Sequence, residues 1–390
     1  MHPTKIYIVF HTMLMTAIGL SVASYVPNLF RLGLSLADIA LINAGFWSMI
    51  VLAEIPTGMF ADGKSRAWSI RVGALAWALG AVAYGIAEGF WSALACELTA
   101  GIANALISGA QQAWLTDALI RRGEGKDLGK AFGTAAIGRS LGMLGGGVAG
   151  GVLGSIDLRL PWFVCGAVAF AAYLFACMTF GETGEPVHRV SEGKALRLSV
   201  DALRKEPSLR WVVLASMAMG LVLPFNHYWS PFFLQWVDQA SIGYVVWIPM
   251  YSSLVVGGLL VRRYGVPERR EAVGLVSSIF CAGLGLACIG CTGSLAPALF
   301  LVAVHEFGRG LFDPIADTFN QRRIESHFRA TYGSLHSFLG RFGFAAVLFA
   351  IWFLMRDMPT EPTTITLAWT ISGLLLCLCA LVLWFARPRD

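Results

Sequence analysis

Ionisable side chains occur inside otherwise apolar stretches of this chain, and some of them are spaced as neighbours on one helix face. His305, Arg309 and Asp313 follow one another at four-residue intervals, and Glu306 lies beside them. Side chains at such spacing on a helix are within reach of each other. Arg309 can therefore neutralise Glu306 and Asp313 internally, or the group can form an ion-pair network that protons or a bound solute rearrange.

Further charges lie singly within apolar stretches: Glu54, Glu97, Arg139 and Arg341. A charge in hydrocarbon costs on the order of 3 kcal/mol or more, so it normally faces a cavity or a partner of opposite sign. Glu54 and Glu97 are candidates for carrying a proton, because a carboxyl withdrawn from water can bind one. Either can equally serve as a fixed counter-ion for Arg139, and we expect Glu97 to be that partner.

Other chemistries lack the residues they require. The stretch HEFGR from His305 has Arg309 where a zinc protease needs its second histidine. The stretch CIGC from Cys288 has redox spacing but no histidine or acidic neighbour, which favours packing within a helix. The apolar stretches contain no serine–histidine–acid order, histidine cluster or phosphate loop. The sequence therefore predicts no enzyme, no cofactor and no metal.

The elements that carry these side chains are predicted to be membrane-spanning helices. Hydrophobic residues make up 56% of the chain and charged residues 14%, against about a quarter charged in soluble domains. The apolar residues form blocks of about 20, the length of helix that crosses ~30 Å of hydrocarbon. We predict twelve spans, at 6–29, 37–61, 68–87, 90–119, 131–155, 161–180, 211–236, 242–261, 272–292, 296–319, 330–355 and 364–386. The predicted fold class is an all-α membrane protein.

Positive charge indicates how these spans are oriented. With the N-terminus inside, most of the 29 lysines and arginines fall in cytoplasmic loops, as the positive-inside rule requires. We therefore expect a multi-pass protein of the cell membrane with both termini in the cytoplasm. The net charge of +5 follows from this topology, so no nucleic-acid partner is predicted. The eight cysteines lie within apolar blocks and suit buried thiols.

A polar stretch between the sixth and seventh spans divides the chain into two halves. We expect a six-helix bundle at 1–184, a cytoplasmic linker at 185–208 and a second six-helix bundle at 209–390. The linker is compatible with a short helix on the inner membrane surface and, equally, with a solvated connection.

Short patterns recur in the two halves at an offset of about 200 residues. Glu97 precedes Gly101 by four positions in the fourth span, as Glu306 precedes Gly310 in the tenth. Weak internal repeats of this kind are typical of transporters. The sequence therefore predicts two pseudo-symmetric bundles.

The fifth span combines glycines with an arginine in the stretch GTAAIGRSLGMLGGGVAGG. Gly142, Gly146 and Gly150 are four residues apart, and small residues at this spacing let two helix backbones approach closely in lipid. A purely structural glycine face is one interpretation, and a moving contact between helices is the other. Arg139 lies one turn before this face and is expected to present its charge to a cavity.

On these features the chain resembles the Major Facilitator Superfamily, whose members have twelve spans in two six-helix halves. The family's loop signature after the second span is matched at Gly58, Asp62 and Arg66. The resemblance implies that Asp62 and Arg66 take part in a conformational latch between cytoplasmic helix ends. Positions 63, 65 and 67 depart from the signature.

The glycine stretch resembles the antiporter motif of the superfamily's drug and proton exchangers. The agreeing positions are Gly133, Gly142, Gly146, Gly150 and Gly151. Gly147 stands where that motif has proline. The resemblance implies export of a compound in exchange for protons.

We therefore predict a secondary active transporter that works by alternating access, most simply a proton-coupled exporter of a small organic compound. The seventh span offers Asn226, His227, Tyr228 and Trp229 for contact with a partly aromatic substrate. The predicted partners are the substrate, protons and the lipid bilayer, and the chain is expected to be a monomer. The alternatives are an importer of an anionic nutrient or iron-chelate and, from another class, a membrane-embedded enzyme or sensor.

Overall fold

A computed structural model describes residues 1–63, 65–181, 192–267, 270–324 and 329–388 of the chain. These residues form helices and no strand, so the predicted all-α fold class is confirmed. The helices of the first half are α1 (Pro3–Val22), α2 (Tyr25–Arg31), α3 (Leu36–Gly63), α4 (Arg66–Gly85), α5 (Phe90–Arg121), α6 (Leu128–Ile156) and α7 (Leu160–Thr179). Those of the second half are α8 (Glu192–Lys205), α9 (Pro207–Ala218), α10 (Leu223–Phe233), α11 (Ile248–Tyr264), α12 (Glu271–Ile289), α13 (Leu295–Arg323), α14 (Arg329–Met355) and α15 (Pro362–Phe385).

Within the described residues, 12 helical stretches are long and apolar enough to cross a membrane, which confirms the predicted number of spans. The ninth stretch, Glu271–Ile289, has a mean hydropathy of 2.2. All eight cysteines are free thiols. Two of the predicted spans are nevertheless interrupted.

The first predicted span is broken near its C-terminal end. α1 ends at Val22 and α2 begins at Tyr25, so the prediction of one helix over 6–29 is wrong in its last part. Pro27 has no N–H to donate to the carbonyl four residues earlier, on Ala23. That carbonyl accepts a hydrogen bond from the side-chain amide of Gln239 at 3.3 Å instead. The break is therefore compensated by a distant part of the sequence.

The seventh span is broken as well. A 3₁₀ turn, Met219–Val222, separates α9 from α10, and Pro224 occupies the first turn of α10. Proline is tolerated there because the first turn of a helix needs no N–H donor. Gly220 within the turn approaches α14, where a Cβ at Gly220 would lie 3.1 Å from the carbonyl oxygen of Gly343. The interruption thus brings two backbones close together.

The chain forms two compact units. The first comprises Met1–His188 together with Val237–Trp247. Within it, α1 packs along α6 and α7, α4 packs on α5 and α7, and α3 packs on α5. A cluster of buried apolar side chains joins α1, α4, α5, α6 and α7, and among its members are Phe10, Ile70 and Leu115.

The second unit comprises Arg189–Trp236 and Ile248–Asp390. Within it, α12 packs on α13 and α15, and α11 packs on α13. These pairings join the ninth span to the tenth and twelfth and the eighth to the tenth. They correspond to the pairings of the third span with the fourth and sixth, and of the second with the fourth, in the first unit.

The recurring glycines serve the same contact in both units. A Cβ on Gly101 would lie 2.9 Å from the carbonyl oxygen of Phe46 on α3. A Cβ on Gly310 would collide with the carbonyl of Leu254 on α11. Each glycine lets the fourth or tenth span touch the backbone of the second or eighth.

Part of the predicted linker, residues 185–191, lies outside the described residues. The remainder contains the predicted short helix, α8. Leu198 and Leu203 of this helix pack against Leu209, Ile324 and Tyr332 of the same unit. Part of its apolar side is thus covered by protein, whereas Leu196 is 49% exposed. A position of this helix on the inner membrane surface stays a prediction. The division at 184 and 209 stays a prediction.

The two ends of α6 provide a test of orientation. In a variant whose native cysteines are replaced, a single cysteine at Asp157 should react with an impermeant thiol reagent added outside intact cells, because we expect that end to be external. A cysteine at Lys126 should react only after the membrane is permeabilised. Both positions are exposed, so access to the protein surface is matched. Labelling of Lys126 from outside would invert the predicted topology.

Candidate functional site

The glycine face of α6 lies directly on the backbone of α1. A Cβ on Gly142 would lie 2.7 Å from the carbonyl oxygen of Thr12, and one on Gly146 would lie 2.5 Å from that of Thr16. A Cβ on Gly150 would collide with the carbonyl of Leu20. Only glycine allows this approach, so the spacing of four corresponds to a line of backbone contacts. Gly133, nearer the start of α6, is half-buried.

Residues Val237–Trp247, the 237–247 segment, cover the next face of α6. Gln239 donates hydrogen bonds to Ala23 and Ser24 of the first unit. Gly151 meets this segment at Gly243, where a Cβ would lie 3.1 Å from the amide nitrogen. The segment ends in a π-helical turn, Gly243–Trp247. It belongs to the first unit although the chain on both sides of it belongs to the second.

Asp238 stabilises the start of this segment. Its carboxylate accepts hydrogen bonds from the backbone N–H of Ser241 at 2.8 Å and from the Ser241 hydroxyl at 3.1 Å. These bonds favour the charged form and hold the pKa of the Asp238 carboxyl below its ordinary value. The segment therefore begins in a turn that is closed by a charged side chain.

Trp247 explains why glycine replaces proline at position 147. The indole Nε1 of Trp247 donates a hydrogen bond to the carbonyl oxygen of Met143 at 3.1 Å. A Cβ on Gly147 would collide with the same indole. A proline ring would fill this space, so the departure from the antiporter motif makes room for a tryptophan from the 237–247 segment.

The predicted latch residues lie at the C-terminal end of α3 and the N-terminal end of α4. Gly58 and Asp62 are in the last turns of α3, and their side-chain positions lie outside the described part of the structure, as does residue 64. Arg66 begins α4 and forms an ion pair with Asp117 at the end of α5. It also donates a hydrogen bond to the carbonyl oxygen of Ala113 at 3.0 Å. Arg66 thus ties α4 to α5.

Sequence reasoning missed an equivalent ion pair in the second unit. Arg322 at the end of α13 pairs with Glu271 at the start of α12. A shift of 205 positions carries Arg66 to Glu271 and Asp117 to Arg322. The two pairs occupy matching places with their charges exchanged, and the repeat offset was the signal that could have revealed the second one.

Glu97 does not pair with Arg139, contrary to our expectation. Its carboxylate accepts a hydrogen bond from the Tyr84 hydroxyl at 3.4 Å. The ring of Tyr84 stacks on Trp162 at 4.1 Å between centroids, and Glu97 itself is only 7% exposed. The carboxyl is therefore enclosed among aromatic side chains and cannot neutralise a charge on α6.

Arg139 is exposed on α6. It lies close enough to Tyr7 and His11 of α1 to act on both electrostatically. Among the described residues it forms no ion pair. Its predicted presentation to a cavity stays a prediction.

The tenth span places a salt bridge against the seventh. Arg309 of α13 contacts the carboxylate of Glu306 at 2.5 Å and the side-chain oxygen of Asn226 at 2.7 Å. Glu306 is 3% exposed. Arg309 connects α13 to α10 through Asn226, so the charge on Glu306 acts on this contact through Arg309.

The four residues of the seventh span that were predicted to meet substrate divide into two groups. Asn226 and His227 are half-buried. Tyr228 and Trp229 are 0% and 3% exposed and are packed inside the second unit, which is contrary to the predicted role in substrate contact. A hydropathy pattern identifies the span but not the direction in which each side chain points.

The other predicted charges are distributed over three helices. Glu54 is half-buried in α3, two residues before Pro56. Asp313 is exposed on α13, and Arg341 is half-buried on α14. Together with the groups above, these side chains make polar positions within the spans of both units. Twelve spans in two similarly packed units with such positions define a membrane transporter.

Comparisons with known proteins identify the family. The Major Facilitator Superfamily profile matches residues 6–348. A curated relative described as an uncharacterised MFS-type transporter, from Enterobacter sp. (strain 638), is 26% identical over 297 residues, 74% of this chain and 72% of the relative. This chain belongs to the Major Facilitator Superfamily; it is a secondary transporter and not an enzyme.

Solved structures share the fold at low sequence identity. A mutant of the nucleoside transporter NupG is 14% identical, with a TM-score of 0.84 over 99% of this chain and 100% of that chain. A bacterial homologue of the human lysosomal transporter Spinster is 16% identical, with a TM-score of 0.74 over 98% of this chain and 94% of that chain. At such identities the similarity concerns the fold alone.

The contact between α6 and α1 can be tested with two neighbouring glycines. Gly146→Leu should prevent folding or lower thermal stability strongly, because overpacking against a backbone costs ~1–3 kcal/mol or more. Gly145→Leu should be tolerated, since a Cβ there meets nothing within 4 Å. Yield of monodisperse protein and the unfolding midpoint in detergent measure both. Equal effects of the two substitutions would contradict the glycine-face interpretation.

The ion pair in the second unit predicts a difference between two arginines. Arg322→Gln should destabilise by on the order of 2 kcal/mol, because it leaves a buried carboxylate without its charged partner. Glu271 is 2% exposed at the side chain, whereas Glu124, the partner of Arg122, is 33% exposed. Arg122→Gln should therefore change stability by less than about 1 kcal/mol. Thermal unfolding in detergent makes the comparison, and similar midpoints would refute it.

Proposed function

We propose that the protein exports a small organic compound in exchange for protons. The observation that carries this proposal is the glycine face of α6, whose Gly142, Gly146 and Gly150 lie against the α1 backbone. These are positions of the antiporter-like motif, and the close contact is what such glycines permit. The fold supports alternating access, in which one substrate site is exposed to each side of the membrane in turn.

Glu306 is the residue we assign to proton coupling. In the charged state its carboxylate attracts Arg309, which also binds Asn226 of α10. A proton on Glu306 removes this attraction and leaves Arg309 attached to α10 alone. The packing of α13 on α10 then depends on protonation, which is the differential interaction that a coupled conformational change requires. Exchange follows if the compound and the proton occupy the protein alternately.

Import of an anionic nutrient is the second candidate function. The observation that favours it is Arg139, which among the described residues has no carboxylate partner. An inside-negative membrane potential opposes entry of an anion by about 2.3 kcal/mol per charge at 100 mV. The same potential favours its exit in exchange for a proton. For an anionic solute, the membrane potential therefore favours export over import.

The setting of this activity is part of the proposal. We place the protein in the cell membrane as a monomer with both termini in the cytoplasm. The support is the distribution of lysine and arginine among the loops, including the exposed Arg121, Arg122 and Lys126 between α5 and α6.

Everted membrane vesicles test direction and coupling together. Respiration acidifies the vesicle interior, and an exporter should then accumulate its compound and partly dissipate the acid gradient reported by a quenched dye. The compounds to add are small aromatic carboxylates, phosphates, amines and neutral analogues. Glu306→Gln should lower gradient-driven accumulation more than tenfold, because the side chain can no longer bind the proton.

The control is Glu88→Gln, which changes an exposed carboxylate outside the spans and should behave as the wild type. Accumulation only in right-side-out vesicles with an inward proton gradient would establish import instead. Gradient-driven accumulation by Glu306→Gln at the wild-type level would remove Glu306 from the coupling mechanism.

A further inference from the structure

Arg139 lies too deep in the membrane for its charge to reach water along the helix. It is 11 residues from the start of α6 at Leu128, which corresponds to about 17 Å at 1.5 Å per residue. The whole hydrocarbon layer is ~30 Å thick. The guanidinium is therefore near the middle of the span, and the environment of the side chain must compensate its charge.

The position of Arg139 on the helix directs it away from the lipid-facing side. Ile137 and Leu141 are 50% and 63% exposed, which is the pattern of side chains that meet lipid. Arg139 is two residues from each of them, about 200° around a helix with 3.6 residues per turn. Its exposed surface therefore belongs to a different side of α6 from the apolar stripe.

Polar side chains from two other helices surround this arginine. Tyr7 and His11 of α1 stack with ring centroids 5.7 Å apart, and Arg139 acts electrostatically on both. Gln111 of α5 is only 4% exposed and lies near His11. Its Oε1 atom and the Nδ1 atom of His11 are buried, and neither has a hydrogen-bond partner among the described residues. The cluster contains unused hydrogen-bonding capacity beside an unneutralised charge.

The carboxylates of this unit that the structure shows in ion pairs are engaged elsewhere. Asp117 pairs with Arg66, and Glu124 pairs with His2 and Arg122. Glu97 is enclosed by Tyr84 and its neighbours. Among the described residues of the first unit, no carboxylate forms an ion pair with Arg139.

We propose that Arg139, with His11 and Gln111, binds the anionic group of the transported compound, a carboxylate or a phosphate. This inference rests on the proposed transport function and adds the chemical class of the substrate. The planar guanidinium donates two parallel hydrogen bonds to either group. The imidazole and amide provide further polar contacts.

Binding measured in detergent tests this assignment without any gradient. The probes are benzoate and phenyl phosphate, each compared with a neutral relative, benzamide or benzyl alcohol. At least one anion should stabilise the wild type against heating in a saturable manner, and the neutral relatives should not. Arg139→Gln should weaken the binding of that anion at least tenfold, and Arg139→Lys should retain part of it because the charge remains.

The matched control is Arg159→Gln, which removes an equal charge from the exposed loop between α6 and α7 and should leave anion binding unchanged. A second control is Arg139→Gln combined with Glu97→Gln, which should not restore binding, since the two residues do not meet. Failure of both anions to bind, equal binding by Arg139→Gln, or equal binding of the neutral relatives would each overturn the inference. Arg139-dependent stabilisation by phosphatidylglycerol alone would identify a lipid site and also overturn it.

The anion-site proposal and the exporter proposal can be rejected separately by these two experiments. Anion binding that depends on Arg139, without gradient-driven exchange of that anion, would leave the substrate site in place and reject the proposed exporter. Gradient-driven export of neutral or cationic compounds, with no anion binding, would retain the exporter and reject the anion site.

Discussion

A charge within hydrocarbon has to be compensated by a partner, and this requirement determines much of the helix arrangement inside each unit. Arg66 and Asp117 join α4 to α5, and Arg322 and Glu271 join α13 to α12. Arg309 joins Glu306 to α10 through Asn226. The two ion pairs each connect consecutive helices, and Arg309 connects α13 to α10, because a partner on the same helix can satisfy only part of a polar group's hydrogen-bonding capacity. The choice of partner for each buried charge therefore also determines which helices are in contact.

Backbone groups obey the same requirement. Helices can cross a membrane because they satisfy their own N–H and C=O groups, so each interruption needs an outside donor. Pro27 leaves the Ala23 carbonyl without its usual donor, and Gln239 of the 237–247 segment provides one. Trp247 of the same segment donates to the Met143 carbonyl. The segment thus supplies hydrogen bonds to two backbone carbonyls of the first unit, and small residues such as Gly147 allow it to approach.

The sequence predicted the number and class of helices well because hydropathy and span length follow from the bilayer thickness. The glycine face of α6 was also predictable, since its spacing of four is a property of one helix. Partner choice was not. Glu97 was expected beside Arg139, yet it faces Tyr84, because partner choice depends on which faces of different helices meet. Tyr228 and Trp229 were assigned to substrate for their composition alone, and their burial depends on the rotation of α10, which no short pattern encodes.

The internal repeat separates structural charges from those that transport can use. The Coulomb attraction of an ion pair is unchanged when the two partners exchange sign. The pair of Glu271 and Arg322 in the second unit therefore makes the same kind of helix contact as the pair of Arg66 and Asp117 in the first. Glu97 and Glu306 also correspond, each four residues before a glycine that touches the neighbouring span. Their surroundings differ, because the position that matches Arg309 in the first unit is Ala100. Glu97 therefore has tyrosine as a neutral donor, whereas the interaction of Glu306 with Arg309 changes whenever a proton binds. Only the second of these carboxylates has a charged partner that itself contacts another span, and that difference is our reason to propose proton coupling in the second unit. Arg139 forms no ion pair among the described residues of the first unit, and we propose it for the substrate.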